Sequence, residues 1–338
     1  MSEGRPPGER YEPQPRAAAT QQGGSPDGRG EIRMVPEHEA RNYYGRSVLK
    51  EPTWTWQVPW YLFVGGLAGA SSALSLAARL SGNDRLARSA LLTAMGAVSA
   101  SPVLLITDLG RPERFYMMLR VIKPTSPMSV GTWILTLFGT STGAAAASDL
   151  LGVYPRAGRA MAVLSALLGP ALSTYTAVLF AATSVPVWHG ARRELPFVFA
   201  ASSSASAGSA AAILTPVEDA GPARRLAVGG AVAELVLTSV MKRRLGTLLA
   251  EPYERGEARR YEKTARVLTG AGAALMGLAG HKRRLAAIAG GALVFAGAAT
   301  ERWAVFKAGH HSARDPKYTV MPQRERLEAR DGAGSRIR

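Results

Sequence analysis

The chain of 338 residues contains no cysteine and only five histidines. The absence of cysteine excludes disulfide bonds, thiolate zinc sites and iron–sulfur clusters ligated by cysteine. A haem inside a membrane needs axial ligands that project inward from facing helices, whereas the histidines lie in polar segments or at the ends of apolar stretches. They are His38, His189, His281, His310 and His311. We therefore expect a chain with no haem and no iron–sulfur cluster of its own.

Long apolar stretches rich in Gly, Ala, Ser and Leu fill the middle of the chain. About 20 such residues in a helix cross a hydrocarbon core of about 30 Å. Inside lipid the backbone must form its hydrogen bonds within the segment, so stretches of this kind form helices. The sequence predicts an all-α integral membrane protein with eight transmembrane helices, at residues 57–80, 86–108, 129–153, 159–188, 196–217, 222–242, 263–281 and 284–307.

Polar tails flank this transmembrane domain, which we place at residues 51–308. Residues 1–50 begin with a stretch rich in Pro, Gly, Arg and Gln and contain too few apolar residues to form a core. We predict a disordered tail whose last part docks on a partner or on the membrane interface. It lacks the apolar stretch of a signal peptide. Residues 309–338 form a second polar tail.

The formal net charge of +16 is compatible with nucleic-acid binding. However, Lys and Arg are concentrated on one side of the predicted spans, as in membrane proteins. With eight spans, 31 of the 41 Lys and Arg residues fall on the side of both termini. The loops alone carry 14 on that side against 10 on the other. The sequence thus predicts cytoplasmic termini, a location in the cytoplasmic membrane, contact with membrane lipids and no nucleic-acid partner.

Four segments carry a more specific pattern. They are TWTWQVPWYLFVGGLAGASS (53–72), DLGRPERF (108–115), TYTAVLFAATSVPVW (174–188) and ERWAVFKAGHHSARDP (301–316). Together they resemble the NrfD/PsrC family of polysulfide reductase-like integral membrane subunits, over residues 54–323. DLGRPERF is the most distinctive of the four. The family often has Tyr-Thr-Gly where this chain has Tyr175-Thr176-Ala177.

The resemblance implies a fold of two four-helix bundles and a place in a multi-subunit oxidoreductase. The implied partners are a ferredoxin-like iron–sulfur subunit and a molybdopterin catalytic subunit. The chain would then hold menaquinone or ubiquinone as a substrate, close to the membrane surface on which the iron–sulfur partner docks. Proton translocation is a further possibility. The resemblance specifies neither the substrate of the catalytic subunit nor the direction of electron flow.

A quinone site needs donors for two carbonyl oxygens, an apolar slot and a supply of protons. Gln57 and Tyr61 are four residues apart at the start of helix 1 and so share a helix face. Trp60 lies between them, either at the site or in an aromatic belt at the membrane interface. Tyr175 needs a partner for its hydroxyl in apolar surroundings, and that partner is either a quinone oxygen or a neighbouring helix.

Two acidic residues are candidates for proton transfer. Asp108 ends helix 2 and either faces the quinone pocket or belongs to a salt-bridged turn. Glu234 lies well inside an apolar span, where a carboxyl is costly and is by default a functional hypothesis. The alternative for Glu234 is a protonated carboxyl bonded to a neighbouring helix. Glu301 and Arg302, near the end of helix 8, can pair and reach toward the interface.

Two other functions remain open from the sequence. Small residues and one buried acid also suit a secondary transporter, although broken-helix pairs are not evident. A passive membrane anchor without a working quinone site is the other alternative.

Overall fold

A computed structural model describes residues 48–109 and 111–334 of the chain, and all of the regular structure in these ranges is helical. The tail predicted at residues 1–50 lies almost entirely outside the described residues, as does Gly110 of the DLGRPERF motif. The helices are α1 (Gln57–Leu80), α2 (Asp84–Thr107), α3 (Pro127–Leu151), α4 (Pro155–Ala181), α5 (Pro186–Gly190), α6 (Leu195–Leu214), α7 (Gly221–Ala250), α8 (Gly256–Leu278), α9 (Arg284–Arg314) and α10 (Lys317–Gly334). Two 3-10 helices, Pro112–Arg120 and Glu251–Glu254, complete the set.

Six of these helices are long and apolar enough to cross a membrane: α1, α2, α3, α4, α6 and α9. α7 and α8 occupy the positions of the other two predicted spans. Their apolar stretches are shorter because basic residues follow Met241 in α7 and charged residues fill the first turns of α8. The prediction of an all-helical membrane protein is confirmed, and the number of spans beyond six stays a prediction.

Helices that are close in sequence pack side by side. α1 packs on α2 and α4, and α3 packs on α4 and α2. In the second half, α6 packs on α7 and α9, and α8 packs on α9 and α7. Contacts of α6 with α1 and α4 join the halves. The end of the helix bundle at which α1 begins is called the proximal end, and the opposite end is called the distal end.

Small residues set the close approach of α1 and α4. A Cβ atom on Gly69 would lie 2.3 Å from the carbonyl oxygen of Gly169, and the reverse substitution would meet the same distance. No side chain fits there, so the two backbones touch directly, as is common where membrane helices pack through small residues.

α9 is longer than the predicted eighth span and runs through the predicted domain boundary at residue 308. His310, expected in a polar segment, is therefore helical and buried, and its Nδ1 atom lies 3.1 Å from the carbonyl oxygen of Phe306. Gly309 lies against the buried ring of Trp188, where a Cβ atom would be 1.9 Å from Cε2, so the glycine allows this close contact within α9. The chain then turns at Asp315 into α10.

Candidate functional site

Asp108 fastens the end of α2 to the chain that enters α1. One of its carboxylate oxygens, Oδ1, accepts hydrogen bonds from the backbone N–H and the hydroxyl of Thr55, at 3.3 and 2.7 Å. The amide oxygen of Gln57 contacts the same hydroxyl. The structure thus brings Asp108 and Gln57 together through Thr55, at the proximal end. These contacts support a structural role for Asp108 at the helix junction.

Tyr61 and Tyr175 are buried next to each other between α1 and α4, close enough for an electrostatic interaction. The Tyr175 hydroxyl donates to the carbonyl oxygen of Pro127, at 2.5 Å, and its ring fills the space beside Gly131 on α3. Tyr175 therefore makes the interhelical bond that was the alternative to a quinone contact. The Tyr61 hydroxyl makes no hydrogen bond within the described residues, which leaves it available as a donor.

Trp60 points away from this group. Its side chain is 38% exposed and packs edge-on against Phe63, on the outer surface of α1. The position suits a tryptophan of the interfacial belt. Trp54, in contrast, is turned inward and stacks on Phe180 and Trp188, with ring centroids 5.5 and 5.6 Å away.

Glu234 lies in the second half of the molecule, apart from the tyrosines. Its side chain is 2% exposed and the Oε2 atom has no hydrogen-bond partner within the described residues. The neighbouring charges are Glu301 and Arg302 of α9, with Ser202 of α6 beside the carboxyl. Two carboxyls thus share one guanidinium in an apolar interior, so a single added proton balances the charges of the cluster.

Glu301 and Arg302 form a buried ion pair in which Nη1 lies 2.5 Å from Oε2. The prediction that they pair is confirmed, but the expected reach toward the interface is wrong because α9 extends well past them. Arg302 is 1% exposed. Its Nη2 atom donates to the carbonyl oxygen of Phe199, at 3.0 Å, and its guanidinium lies over the Phe199 ring, 3.7 Å from the centroid.

Arg302 also reaches the boundary between the two halves. Nη2 lies 3.4 Å from the Ser203 hydroxyl on α6 and would be 3.8 Å from a Cβ atom on Gly66 of α1. Gly66 follows Tyr61 by five residues, a rise of about 7.5 Å along the helix. The guanidinium therefore lies beside α1, farther from the proximal end than Tyr61, and pairs with Glu301 of the second half.

A small cavity adjoins the buried carboxyls. Residues of α7, α8, α9 and the 3-10 helix after α7 line it: Glu234, Leu235, Thr238, Ser239, Tyr253, Glu262, Ala265, Arg266, Glu301, Ala304 and Val305. The volume of the cavity is about 30 Å³. That is enough for water but not for a quinone ring. The lining extends from Glu234 and Glu301, both buried, to Arg266, whose side chain is 58% exposed. The cavity therefore connects the carboxyls with the proximal part of α8.

Tyr253, in the 3-10 helix after α7, lines this cavity. Burial raises the pKa of its hydroxyl above the usual range, and the nearby carboxyls of Glu301 and Glu262 act in the same direction. The hydroxyl thus keeps its proton at physiological pH and has no partner within the described residues. Glu262 pairs with Lys242, at 3.4 Å, and with Arg266. These groups place several proton donors and acceptors along the cavity.

Apart from Trp60, which points outward, the structure divides the predicted site residues into three groups. Gln57 and Asp108 meet at the proximal end, Tyr61 and Tyr175 meet just inside it, and Glu234 lies among α7, α8 and α9. Sequence reasoning missed Tyr253 and the depth of Arg302. The signal for Arg302 was present, because Glu301 and Arg302 interrupt an otherwise apolar stretch of Gly, Ala and Val. No local feature of the sequence identifies Tyr253 as a residue of the site.

A family model described as polysulphide reductase, NrfD, matches residues 47–311. The match includes every residue of the three groups. A comparison with curated proteins found no match.

Proposed function

Since this chain belongs to the NrfD polysulphide reductase family, whose members are the membrane subunits of molybdopterin and iron–sulfur oxidoreductases, we propose that it passes electrons between a cluster of an iron–sulfur partner and membrane quinone. The partners in this proposal are a ferredoxin-like iron–sulfur subunit and a molybdopterin catalytic subunit. The quinone, menaquinone or ubiquinone, is a substrate. Two observations support the proposal beyond the family. The buried Tyr61 hydroxyl has no hydrogen-bond partner among the described residues, and Arg302 extends from the buried carboxyls to the boundary with α1.

We place the quinone headgroup at the proximal end, beside Tyr61. Tyr61 offers a hydroxyl that is not engaged with another described residue, as a quinone carbonyl requires. The Tyr175 hydroxyl donates its hydrogen bond to the carbonyl oxygen of Pro127 and so cannot donate to a quinone at the same time. In this arrangement Tyr175 orients α3 against α4. Gln57 and Asp108 lie at the same end of α1 and α2, where an iron–sulfur partner on the membrane surface comes close enough for electron transfer.

Quinone reduction consumes two protons, which must reach a site that excludes water. Glu234 and Glu301 are suited to hold these protons, and Arg302 extends from them to the boundary with α1. The cavity beside Tyr253 and Glu262 offers a route for protons from the proximal end. Proton translocation across the whole membrane would require a further exit on the distal side.

The proposed architecture has eight spans in two four-helix bundles, α1–α4 and α6–α9. The contacts between helices support this grouping, since each helix of a group packs on two others of the same group. We also propose that the proximal end, which carries the predicted cytoplasmic tails, faces the cytoplasm. The excess of Lys and Arg on this side supports the orientation.

The test is quinone-linked turnover of the purified complex with Tyr61→Phe. Loss of one hydrogen bond to quinone in the transition state costs about 1–3 kcal/mol, a fall of roughly tenfold to a hundredfold. Activity of the soluble subunits with an artificial electron acceptor should not change. Tyr154→Phe, at an exposed distal position, is the matched control.

Equal turnover of Tyr61→Phe and the control would remove Tyr61 from the site. A wild-type complex without bound quinone and without quinone-linked turnover would instead indicate a passive anchor. Substrate uptake into vesicles by the chain alone would indicate a secondary transporter.

A further inference from the structure

The connection between α2 and α3 exposes an unusual number of large apolar side chains. It consists of the 3-10 helix Pro112–Arg120 and the extended residues that follow it, and we name residues 112–123 the interfacial segment. Its exposed apolar residues are Phe115, Tyr116, Met117, Leu119, Val121 and Ile122. Ile122 is 75% exposed. Soluble surfaces rarely present so many large apolar residues together, so this segment has a partner in its working state.

The interfacial segment is held in place by hydrogen bonds rather than by apolar packing. The carbonyl oxygen of Val121 accepts from the hydroxyl of Ser129, at 2.8 Å, and from the indole N–H of Trp133, at 3.2 Å. The N–H of Lys123 donates to the same hydroxyl, at 3.0 Å. Both partners lie on α3. These bonds fix the end of the segment that carries Val121 and Ile122 against α3.

Cations flank the apolar residues. Arg111, Arg114, Arg120 and Lys123 are all exposed, and none of them forms an ion pair with another described residue. The segment contains one acidic residue, Glu113. Aromatic and aliphatic side chains combined with unpaired Lys and Arg are typical of segments that lie in the plane of a membrane interface.

The neighbouring surface distinguishes lipid from a protein partner. Exposed apolar residues continue from the interfacial segment onto Met128 of α3 and Val103 of α2. Both helices are long and apolar enough to cross the membrane, so their outer surfaces face hydrocarbon. The exposed apolar surface of the segment is therefore a continuation of the lipid-facing surface at its proximal edge.

We propose that residues 112–123 lie in the proximal membrane interface, with the aromatic and aliphatic side chains in the acyl boundary and the four cations on anionic lipid headgroups. The occupant of this surface is lipid, and the cations favour phosphatidylglycerol or another anionic lipid over a zwitterionic one. The segment would then hold the α2–α3 connection, and with it Asp108, at the depth of the headgroups.

Single-cysteine variants test the depth of the segment, since the natural chain has no cysteine to interfere. Ile122→Cys in the full-length chain is labelled with a small fluorophore and reconstituted in phosphatidylcholine vesicles with or without phosphatidylglycerol. A nitroxide near the lipid headgroup should quench this label more strongly than one at the end of the acyl chain, because such segments insert only about 5–10 Å. Leu137→Cys, on the exposed side of α3, should show the opposite order, and Glu218→Cys, in a distal loop, should be quenched by aqueous iodide.

The role of the three cations of the segment and of the preceding Arg111 is tested by replacing Arg111, Arg114, Arg120 and Lys123 with Gln. The matched control replaces Arg156, Arg159, Lys282 and Arg283, which are exposed at the distal end. Phosphatidylglycerol should increase the shielding of the Ile122→Cys label from iodide, and each cation removed should weaken this effect by about fivefold. The distal replacements should leave it unchanged.

Three outcomes would overturn the proposal. Strong quenching by iodide in both kinds of vesicle would mean that the segment is in water. A label shielded from both lipid and iodide only after addition of the soluble subunits would identify a protein interface. Shallow lipid quenching that is the same with and without phosphatidylglycerol would exclude anionic headgroups as the partner of the cations.

Discussion

At the scale of single residues, the buried charges of the second half depend on one another. Glu301 has Arg302 as its ion-pair partner, whereas Glu234 forms no ion pair among the described residues, and each carboxyl has one oxygen without a hydrogen-bond partner there. Breaking a buried ion pair by removing one partner is far more costly than replacing both, because an uncompensated charge remains. The two carboxyls should therefore respond differently to neutral substitutions.

Arg302→Met should destabilise the chain by about 3–5 kcal/mol, because Glu301 would be buried without its cation. Adding Glu301→Gln should restore part of the loss. The measurement is the thermal unfolding midpoint of the detergent-solubilised chain. Arg283→Met, at an exposed position, is the control. If Arg302→Met unfolds at the same temperature as this control, the ion pair does not stabilise the fold.

Glu234→Gln should preserve the volume and the fold but remove one exchangeable proton beside the cavity. Loss of a positioned proton donor lowers turnover by about a hundredfold, while quinone binding should remain. The measurement is steady-state quinone turnover of the complex together with quinone retained after purification. Glu218→Gln, in an exposed loop, is the control. Normal turnover of Glu234→Gln would make Glu234 a structural residue.

At the scale of helices, the shape of α7 depends on one glycine. Gly246 has φ 70° and ψ 179°, a conformation that residues with a side chain rarely adopt, and α7 bends there. Tyr253, which lines the cavity near Glu301, follows this bend in the chain. Gly229 lies earlier in the same helix, and a Cβ atom added there would meet no other atom within 4 Å.

Gly246→Ala should destabilise the chain by about 1–3 kcal/mol because the left-handed backbone would be strained. Gly229→Ala should be neutral or slightly stabilising, since alanine is the better helix former. Thermal unfolding of both variants under the same conditions is the measurement. Equal midpoints would show that the bend at Gly246 is dispensable.

At the scale of the whole molecule, the even number of spans is the main architectural prediction. Reporter fusions after Ser81, Tyr154 and Gly221 should be active on the outer side of the membrane, and fusions at both termini should be active in the cytoplasm. The expectation follows from the excess of Lys and Arg on the side of the termini. Opposite sides for the two termini would mean that α7 or α8 does not span, and external termini would reverse the orientation.

The sequence alone determined the helical membrane fold and the family, because long apolar stretches and continuous motifs are local properties of the chain. It also identified Glu234, since a single carboxyl in an apolar stretch is conspicuous. Only the tertiary structure decided that Glu234 meets Glu301 and Arg302, and that Tyr175 bonds to Pro127 while Tyr61 has no hydrogen-bond partner among the described residues. It also decided that Trp60 points outward. These pairings join residues on different helices, and no periodicity within one helix records how that helix is rotated against its neighbours.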